Sequence, residues 1–234
     1  MVNVQCSMIK KHIPNTITCC NLISGCIATY FAFLSDFEMA LLFIIIGAVF
    51  DFFDGMSARL LGVSSPIGKE LDSLADDITF GFAPSAIVFS YLKTQELPLP
   101  YLEYTVFLMA AFSALRLAKF NLDERQATGF IGLPTPANAL FWGSAIVGLQ
   151  QHCIYYDWLN PSILGCVYCS CYLLIAEIPM FALKFKHWGF KGNEIKYIFV
   201  ISCIPLLLFL GVSGFAAIIA WYVLLSKIAN VTKK

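Results

Sequence analysis

Residues 50–77 read FDFFDGMSARLLGVSSPIGKELDSLADD, and this stretch carries six carboxylates inside a very apolar chain. The six are Asp51, Asp54, Glu70, Asp72, Asp76 and Asp77. The stretch contains only two cations, Arg59 and Lys69, so its net charge is minus four. An ionised side chain at the centre of a membrane costs about 2.5–3.5 kcal/mol even on the most forgiving scale. These carboxylates must therefore be protonated or bind cations.

The rest of the chain has the composition of a membrane protein. Its 234 residues are 59% hydrophobic and only 13% charged, whereas soluble domains are about a quarter charged. The cysteines are odd in number and lie mostly in apolar runs, which argues against a disulfide framework. The formal net charge is zero, so no electrostatic field favours nucleic acid, and we expect no nucleic-acid partner.

Apolar segments follow one another along the chain and predict transmembrane helices. They span residues 16–34, 38–61, 71–92, 101–120, 134–150, 160–183, 195–210 and 213–229. Each is long enough to cross about 30 Å of hydrocarbon at 1.5 Å per residue, and lipid leaves helices as the way to satisfy the backbone. The sequence thus predicts an all-α, polytopic membrane helix bundle of about eight transmembrane helices, forming a single membrane domain over residues 1–234. The alternative is six helices with residues 195–229 as a re-entrant or surface hairpin.

The basic residues predict the orientation of this bundle. If the N-terminus is cytoplasmic and eight helices alternate, fourteen of the fifteen lysines and arginines fall on the cytoplasmic side, and Lys93 does not. Positive residues concentrate on the cytoplasmic side of membrane proteins. We therefore expect both termini, and the carboxylate-rich stretch, to face the cytoplasm.

Helical spacing predicts that four of the aspartates converge. Asp51 and Asp54 are three residues apart on the second segment, and Asp72 and Asp76 are four apart on the third. The turn at residues 64–66 should make the two helices antiparallel neighbours. Two divalent cations would balance the charge of minus four, and oxygen ligands suit Mg²⁺, Mn²⁺ or Ca²⁺. A competing interpretation is close helix packing with aspartates lining a water-filled vestibule, but packing requires no carboxylates.

Small residues accompany the aspartates and indicate a bulky ligand. Gly55 and Ala58 share the face of the second segment that carries the carboxylates, and Gly68 lies one turn before Asp72. Their small side chains leave room for a phosphate group, and the guanidinium of Arg59 could hold a phosphate oxygen.

The complete pattern D-x2-D-G-x2-A-R-x8-G-x3-D-x3-D resembles the signature of the CDP-alcohol phosphatidyltransferases. The matching residues are Asp51, Asp54, Gly55, Ala58, Arg59, Gly68, Asp72 and Asp76. The resemblance implies an enzyme that binds a CDP-linked lipid, uses two divalent ions and transfers the phosphatidyl group to an alcohol, with release of CMP. It also implies that the four aspartates hold the metals and that Asp76 is the general base for the alcohol.

Two further matches extend the predicted CDP-lipid site beyond Gly55, Ala58, Arg59 and Gly68. The segment from Ile13 to Thr18 resembles the family's P-N-x-x-T pattern, in which Asn15 and Thr18 would contact the nucleotide. The alternative is that Pro14 and Asn15 simply begin a helix. Ser65 lies where the family often places a hydroxyl against the nucleotide, although turn formation before Pro66 explains it as well.

The segments GKELDSLADDITFGFAPS and ALRLAKFN…FIGLPTP resemble the branch of the family that forms phosphatidylserine. This resemblance covers residues 13–138, the expected catalytic core, and residues 139–234 would add transmembrane helices. It implies CDP-diacylglycerol and L-serine as substrates in phospholipid biosynthesis, a homodimer, and an integral protein of the bacterial inner membrane. Arg116 and Asn121 are candidates for binding the serine. The competing interpretation, that basic residues here anchor the helix at lipid headgroups, is favoured for Lys119 and Arg125, whereas a functional role is favoured for Arg116.

Two other functions stay open at this point. The same chemistry could use another acceptor, glycerol 3-phosphate or inositol phosphate. A divalent-cation transporter could also carry carboxylates along its path. A transporter should distribute polar groups through the depth of the bilayer, whereas here they cluster at one end of the predicted helices. The pattern therefore favours the transferase. The roles of Asp77 and Glu177 are left open by the sequence.

Overall fold

The computed structural model describes residues 2–95, 97–123, 130–152, 158–181, 189 and 193–232, with side chains from residue 12 onward except at residues 130, 231 and 232. The α-helices are α1 (Val2–Phe33), α2 (Phe37–Leu61), α3 (Pro66–Asp76), α4 (Ala83–Lys93), α5 (Leu108–Leu122), α6 (Thr135–Gln151), α7 (Leu159–Ile175), α8 (Glu194–Leu210) and α9 (Gly214–Thr232). A π-helical segment, Asp77–Phe82, joins α3 to α4, and 3₁₀ turns cover Leu102–Phe107 and Gly211–Ser213. Two short strands, β1 (Phe130–Ile131) and β2 (Pro179–Met180), pair antiparallel.

The all-helical class is confirmed, but the expected number of eight helices is wrong. When helical segments that follow one another without a break are counted together, the described residues contain seven continuous helical stretches. The expected segments 195–210 and 213–229 belong to one stretch because the 3₁₀ turn between them keeps the chain helical. Gly211 has a φ of +55°, which permits a bend there. The indole nitrogen of Trp221 donates a 2.9 Å hydrogen bond to the Ser202 hydroxyl, so α8 and α9 fold back on each other. Residues 182–183 of the sixth segment lie outside the described residues.

Several stretches are long and apolar enough to cross a membrane. They are His12–Phe33, Phe37–Leu61, Leu102–Leu122 and Glu194–Asn230. The helix α7 is also apolar but shorter. The chain is thus an integral membrane protein by the length and composition of its helices, and the orientation of its termini stays a prediction.

The alternative interpretation, that Pro14 and Asn15 simply begin a helix, is wrong. The helix α1 begins at Val2 and contains Pro14 in its interior. A proline inside a helix lacks the N–H of one backbone hydrogen bond, and its ring crowds the carbonyl four residues earlier, so it usually kinks or ends a helix. Here the helix continues on both sides of Pro14. Asn15 and Thr18 therefore lie within a long helix.

The turn between α2 and α3 forms as its residues predict. Gly62 ends α2 in the left-handed conformation with φ +62°. The Ser65 hydroxyl accepts a 3.0 Å hydrogen bond from the Gly68 N–H, and Pro66 is the first residue of α3. Both α2 and α3 pack against α1, and their aspartates approach one another between the two helices. The space between them is where the carboxylates lie.

Very close packing holds the π-helical segment against α1 and α2. The Thr79 hydroxyl donates a 3.0 Å hydrogen bond to the backbone oxygen of Asn21. A Cβ atom at Gly25 would lie 2.8 Å from the Cα of Thr79, and one at Gly47 would lie 2.9 Å from Oδ1 of Asn21. These contacts fix the chain that follows Asp76 relative to α1.

Candidate active site

Three of the four predicted metal ligands meet in one cluster. Asp51 on α2 and Asp72 and Asp76 on α3 each offer a carboxylate oxygen, and these oxygens lie within 4.8 Å of one another. The side chains are half-buried. Like charges at this separation repel strongly when water is partly excluded, and a cation among them converts the repulsion into attraction. The cluster could therefore bind a divalent cation.

The fourth aspartate, Asp54, stands beside this cluster and turns towards α1. It is only 6% exposed, and its Oδ2 accepts a 2.6 Å hydrogen bond from the Thr18 hydroxyl. It is also close enough to interact electrostatically with Asp51, Asp72 and Asp76. The four carboxylates thus form one electrostatic unit, made entirely of the hard oxygen ligands that Mg²⁺ and Mn²⁺ prefer. The donor set fits these ions.

Asn21 supports the cluster from α1, and sequence reasoning missed it. Its side-chain amide donates a 3.1 Å hydrogen bond to Oδ1 of Asp76, and the residue is fully buried. Groups that orient metal-binding carboxylates in this way contribute strongly to metal sites. The sequence did contain a signal, because Asn21 follows Thr18 and Asn15 at intervals of three residues and so shares their face of α1.

A cavity of about 280 Å³ opens beside the cluster. The predicted CDP-lipid residues on its wall are Asn15, Thr18, Gly55, Ala58, Ser65 and Gly68. Asp54 and Asp72 also line it, so the cavity and the carboxylates share a boundary. A Cβ atom at Gly68 would lie 2.9 Å from Oδ1 of Asn15, which shows how closely α3 approaches α1 here. The role of these residues in binding a CDP-lipid stays a prediction.

Two cations lie close to this cavity, and the predicted role of Arg59 in binding the CDP-lipid stays a prediction. Arg59 is exposed, and its Nε donates a 2.9 Å hydrogen bond to the backbone oxygen of Gly55 on its own helix. It is not among the residues that line the cavity. Lys69 does line the cavity, and its ammonium donates a 2.7 Å hydrogen bond to the backbone oxygen of Asn121. Lys69 is thus a second candidate for binding phosphate. It is the other cation in the acidic stretch of residues 50–77.

The two candidates for binding serine occupy different surroundings. Arg116 is buried in α5, near enough to Asp76 for electrostatic attraction, and its Nη1 lies 3.4 Å from the Thr135 hydroxyl. Asn121, one turn and a half further along α5, instead donates a 2.7 Å hydrogen bond from its amide to the Ser73 hydroxyl. Ser73 follows Asp72 directly and therefore points about 100° away from it. The structure brings Arg116 to the carboxylates and places Asn121 on another side of α3.

Arg116 also lines a second cavity, of about 400 Å³. Lys119, Asp123 and Glu177 are among its other lining residues, so charges of both signs surround it. Glu177, which the sequence left without a role, is placed by the structure in this polar cavity. One cavity thus lies on the α1 side of the aspartate cluster. The second cavity is lined by Arg116, which lies near Asp76 of the cluster.

Comparison with known proteins decides the family. A family model described as CDP-alcohol phosphatidyltransferase matches residues 11–176. This chain belongs to the CDP-alcohol phosphatidyltransferase family. The matched residues of this phosphatidyltransferase include the four aspartates, Asn21, the walls of the first cavity and Arg116.

Several relatives of this phosphatidyltransferase carry the name CDP-diacylglycerol–serine O-phosphatidyltransferase. The protein of Bacillus subtilis (strain 168) is 36% identical over 186 residues, which cover 79% of this chain and 95% of the relative. The protein of Methanocaldococcus jannaschii is 32% identical over 205 residues, covering 87% and 86% of the two chains. The protein of Helicobacter pylori (strain J99) is 28% identical over 222 residues, covering 92% and 93%. The similarity therefore extends over most of both chains in each pair.

Proposed function

We propose that this phosphatidyltransferase transfers the phosphatidyl group of CDP-diacylglycerol to the hydroxyl of L-serine, giving phosphatidylserine and CMP. The observation that supports this most is the cluster of Asp51, Asp72 and Asp76, with oxygens within 4.8 Å of one another, beside a cavity lined by the family's nucleotide residues. Relatives named for the serine reaction support L-serine as the acceptor. The function belongs to phospholipid biosynthesis.

The donor lipid would occupy the cavity between α1, α2 and α3. Asp72 belongs both to the carboxylate cluster and to the wall of this cavity. A diphosphate bound there would consequently lie beside the cluster, within reach of Lys69. Asn15, Thr18 and Ser65 supply neutral hydrogen-bonding groups for the nucleotide, and Gly68 keeps space for it. The acyl chains would extend between helices into the lipid.

The four aspartates would hold two divalent cations, Mg²⁺ or Mn²⁺, with Ca²⁺ also compatible with oxygen ligands. When bound, such ions offset the negative charge of the diphosphate and of the departing CMP. The aspartates would hold these ions in place, and the hydrogen bond from Asn21 would orient Asp76 among the ligands. Metal binding would explain why four carboxylates lie close together here, whereas helix packing alone would not.

Asp76 would act as the general base for the incoming hydroxyl. In this reaction the serine oxygen forms a bond to the β-phosphorus, the bond from that phosphorus to CMP breaks, and Asp76 accepts the hydroxyl proton. Asp76 needs only modest basicity because it accepts the proton while the new bond forms. Arg116, near Asp76, is placed to attract the serine carboxylate.

The same proposal includes the orientation, membrane location and oligomeric state of the enzyme. The distribution of basic residues supports a site that faces the cytoplasm, with both termini on that side. The family resemblance supports a bacterial inner membrane and a homodimer. Native mass spectrometry of the detergent-solubilised protein tests the dimer, because a dimer should appear at twice the 26.0 kDa chain mass.

The activity is tested with the purified protein in detergent, CDP-diacylglycerol, L-serine and Mn²⁺ or Mg²⁺. Wild-type protein should release CMP only when serine is present, and the lipid product should be phosphatidylserine. Asp76→Asn should abolish the release, whereas Glu70→Gln should keep it, because Glu70 is an exposed carboxylate of the same helix outside the cluster. Release with glycerol 3-phosphate or inositol phosphate but not serine would identify another acceptor. Metal flux in liposomes without donor lipid would instead support a transporter.

A further inference from the structure

A second set of polar atoms lies next to the aspartate cluster, buried and without hydrogen-bond partners. The set comprises Oδ1 of Asp77, Oγ of Ser113, Nε of Arg116, and Nδ2 and Oδ1 of Asn138. Seven buried side-chain polar atoms lack a partner in the described residues, and five of them belong to this set. An unpaired buried polar group destabilises the fold, and native proteins contain few of them. Their concentration in one place therefore points to a ligand.

Close approaches relate Asp77 to Ser113, and helical spacing relates Arg116 and Asn138 to these two residues. The position that a Cβ would take at Gly81 is 2.7 Å from Oδ1 of Asp77 and 3.4 Å from Oγ of Ser113. Ser113 and Arg116 are one turn apart on α5, so they share a face. Arg116 reaches the Thr135 hydroxyl at 3.4 Å, and Asn138 lies one turn after Thr135 on α6. The π-helical segment packs against both α5 and α6.

The burial of this set is deep. Ser113 and Asn138 are 0% exposed, and Arg116 is 7% exposed. Such side chains have no access to bulk water that could satisfy them. Arg116 also lines the 400 Å³ cavity with Lys119 and Glu177, so this cavity borders the set at Arg116.

The backbone at this place is also unusual. The π-helical segment starts at Asp77, directly after the proposed base Asp76. Helices with this wider turn are rare and frequently mark functional sites. The segment gives two consecutive aspartates different surroundings: Asp76 faces Asn21 and the cluster, and Asp77 lies beside Ser113.

We infer that Asp77, Ser113, Arg116 and Asn138 form the pocket for the acceptor, and that the pocket is built for a zwitterionic amino acid. This inference rests on the proposed function. The Asp77 carboxylate matches an ammonium, the Arg116 guanidinium matches a carboxylate, and the Asn138 amide can donate and accept. Arg116 lies near Asp76, so a ligand held by Arg116 sits beside the proposed base. The two charged groups of the pocket cancel each other. A phosphorylated alcohol would bring extra negative charge, and Asp77 would repel it.

The experiment measures kcat and KM for serine and for CDP-diacylglycerol in wild type, Asp77→Asn and Ser113→Ala. Asp77→Asn should raise the KM for serine at least about tenfold, since about 1.4 kcal/mol of lost ionic interaction corresponds to that factor. The KM for CDP-diacylglycerol should change less than about twofold. Ser113→Ala should raise the serine KM by a smaller factor, and it serves as the second variant if Asp77→Asn does not fold.

Two controls separate a binding role from a structural one. Ser226→Ala removes another fully buried hydroxyl that lacks a partner, but on α9, and it should leave both KM values unchanged. A comparison of serine with 3-hydroxypropionate, which lacks the ammonium, provides a specificity readout. Asp77→Asn should narrow the preference for serine over 3-hydroxypropionate by about tenfold or more, because the variant loses the partner of the ammonium.

The outcomes test the pocket and the proposed function separately. If wild type releases CMP with serine but Asp77→Asn and Ser113→Ala both retain its serine KM and its preference over 3-hydroxypropionate, the pocket is wrong and the function stands. If wild type does not use serine at all, both the function and the pocket are wrong. A raised serine KM with an unchanged donor KM and a narrowed preference supports the pocket.

Discussion

The side-chain amide of Asn21 donates a 3.1 Å hydrogen bond to the carboxylate of Asp76, which is 55 residues later in the chain. This bond connects α1 to the end of α3. It occupies one oxygen of Asp76 and fixes the orientation of the carboxylate within the cluster. The geometry of the proposed base therefore depends on a helix that carries none of the four aspartates.

Replacing Asn21 should weaken the enzyme without removing any proposed metal ligand. We expect Asn21→Ala to lower the rate of CMP release about 10–100-fold, the range typical of groups that orient metal ligands. The rate is measured over a series of Mn²⁺ concentrations. Asn230→Ala removes a comparable hydrogen bond, 2.6 Å to the Pro179 carbonyl, and should keep the wild-type rate. Equal rates for the two variants would contradict a role for Asn21.

The contact between Thr18 and Asp54 can be removed with little change in shape. Thr18→Val deletes the hydroxyl that donates to Asp54 at 2.6 Å, and a hydrogen bond to a charged group contributes about 1.5–3 kcal/mol. We expect a higher KM for CDP-diacylglycerol and a higher Mn²⁺ concentration for half-maximal activity. Thr16→Val is the matched control, because the Thr16 hydroxyl bonds the backbone of the same helix at an exposed position. If both variants behave alike, Thr18 has no special role.

A methyl group at Gly68 should obstruct the proposed donor cavity. Its Cβ would lie 2.9 Å from Oδ1 of Asn15 and 3.0 Å from Oγ of Ser65, so one of these side chains must move. We expect Gly68→Ala to raise the KM for CDP-diacylglycerol at least about fivefold, with the serine KM unchanged. Gly165→Ala adds a methyl group where no atom lies within 4 Å and should leave both KM values unchanged. An unchanged donor KM in Gly68→Ala would place the nucleotide elsewhere.

Metal binding should stabilise the folded protein against heat. An ion that binds only the folded state at 100 times its Kd adds about 2.7 kcal/mol. We therefore expect Mn²⁺ to raise the melting temperature of wild type by several degrees and EDTA to reverse the effect. Asp51→Asn should abolish most of this rise, because it removes one ligand of the cluster. Glu70→Gln should retain it, and a rise that persists in Asp51→Asn would show that the ion binds at another place.

The local features of the site were predictable because short-range spacing determines them. Asp51 and Asp54 share a face of α2 through helical periodicity, and Gly62, Ser65 and Pro66 form the turn that their residue types favour. The spacing of the aspartate pattern carried enough information to indicate the family before any comparison. The prediction of a shared cavity for the nucleotide residues follows from the same local rules.

Features that depend on packing between distant segments were not predictable. Proline favours the first turn of a helix, but Pro14 lies inside α1. The residues on both sides of Pro14 keep the helix continuous, and the local preference of proline does not reveal this. The sequence did not indicate that Arg59 bonds the backbone of its own helix or that Lys69 lines the cavity. The π-helical segment carries no local signature in its residues. The neighbours that α5 and α6 bring to Asp77 are likewise set by the assembled bundle.

The proposed function requires that serine accept a phosphatidyl group at the aspartate cluster. The most direct test is an acceptor panel, in which purified protein receives CDP-diacylglycerol, Mn²⁺ and one of serine, glycerol 3-phosphate or inositol phosphate. CMP release and the lipid product are measured together. We predict release and phosphatidylserine with serine only, and neither in Asp76→Asn. CMP release that is independent of serine, or that persists in Asp76→Asn, would contradict the account.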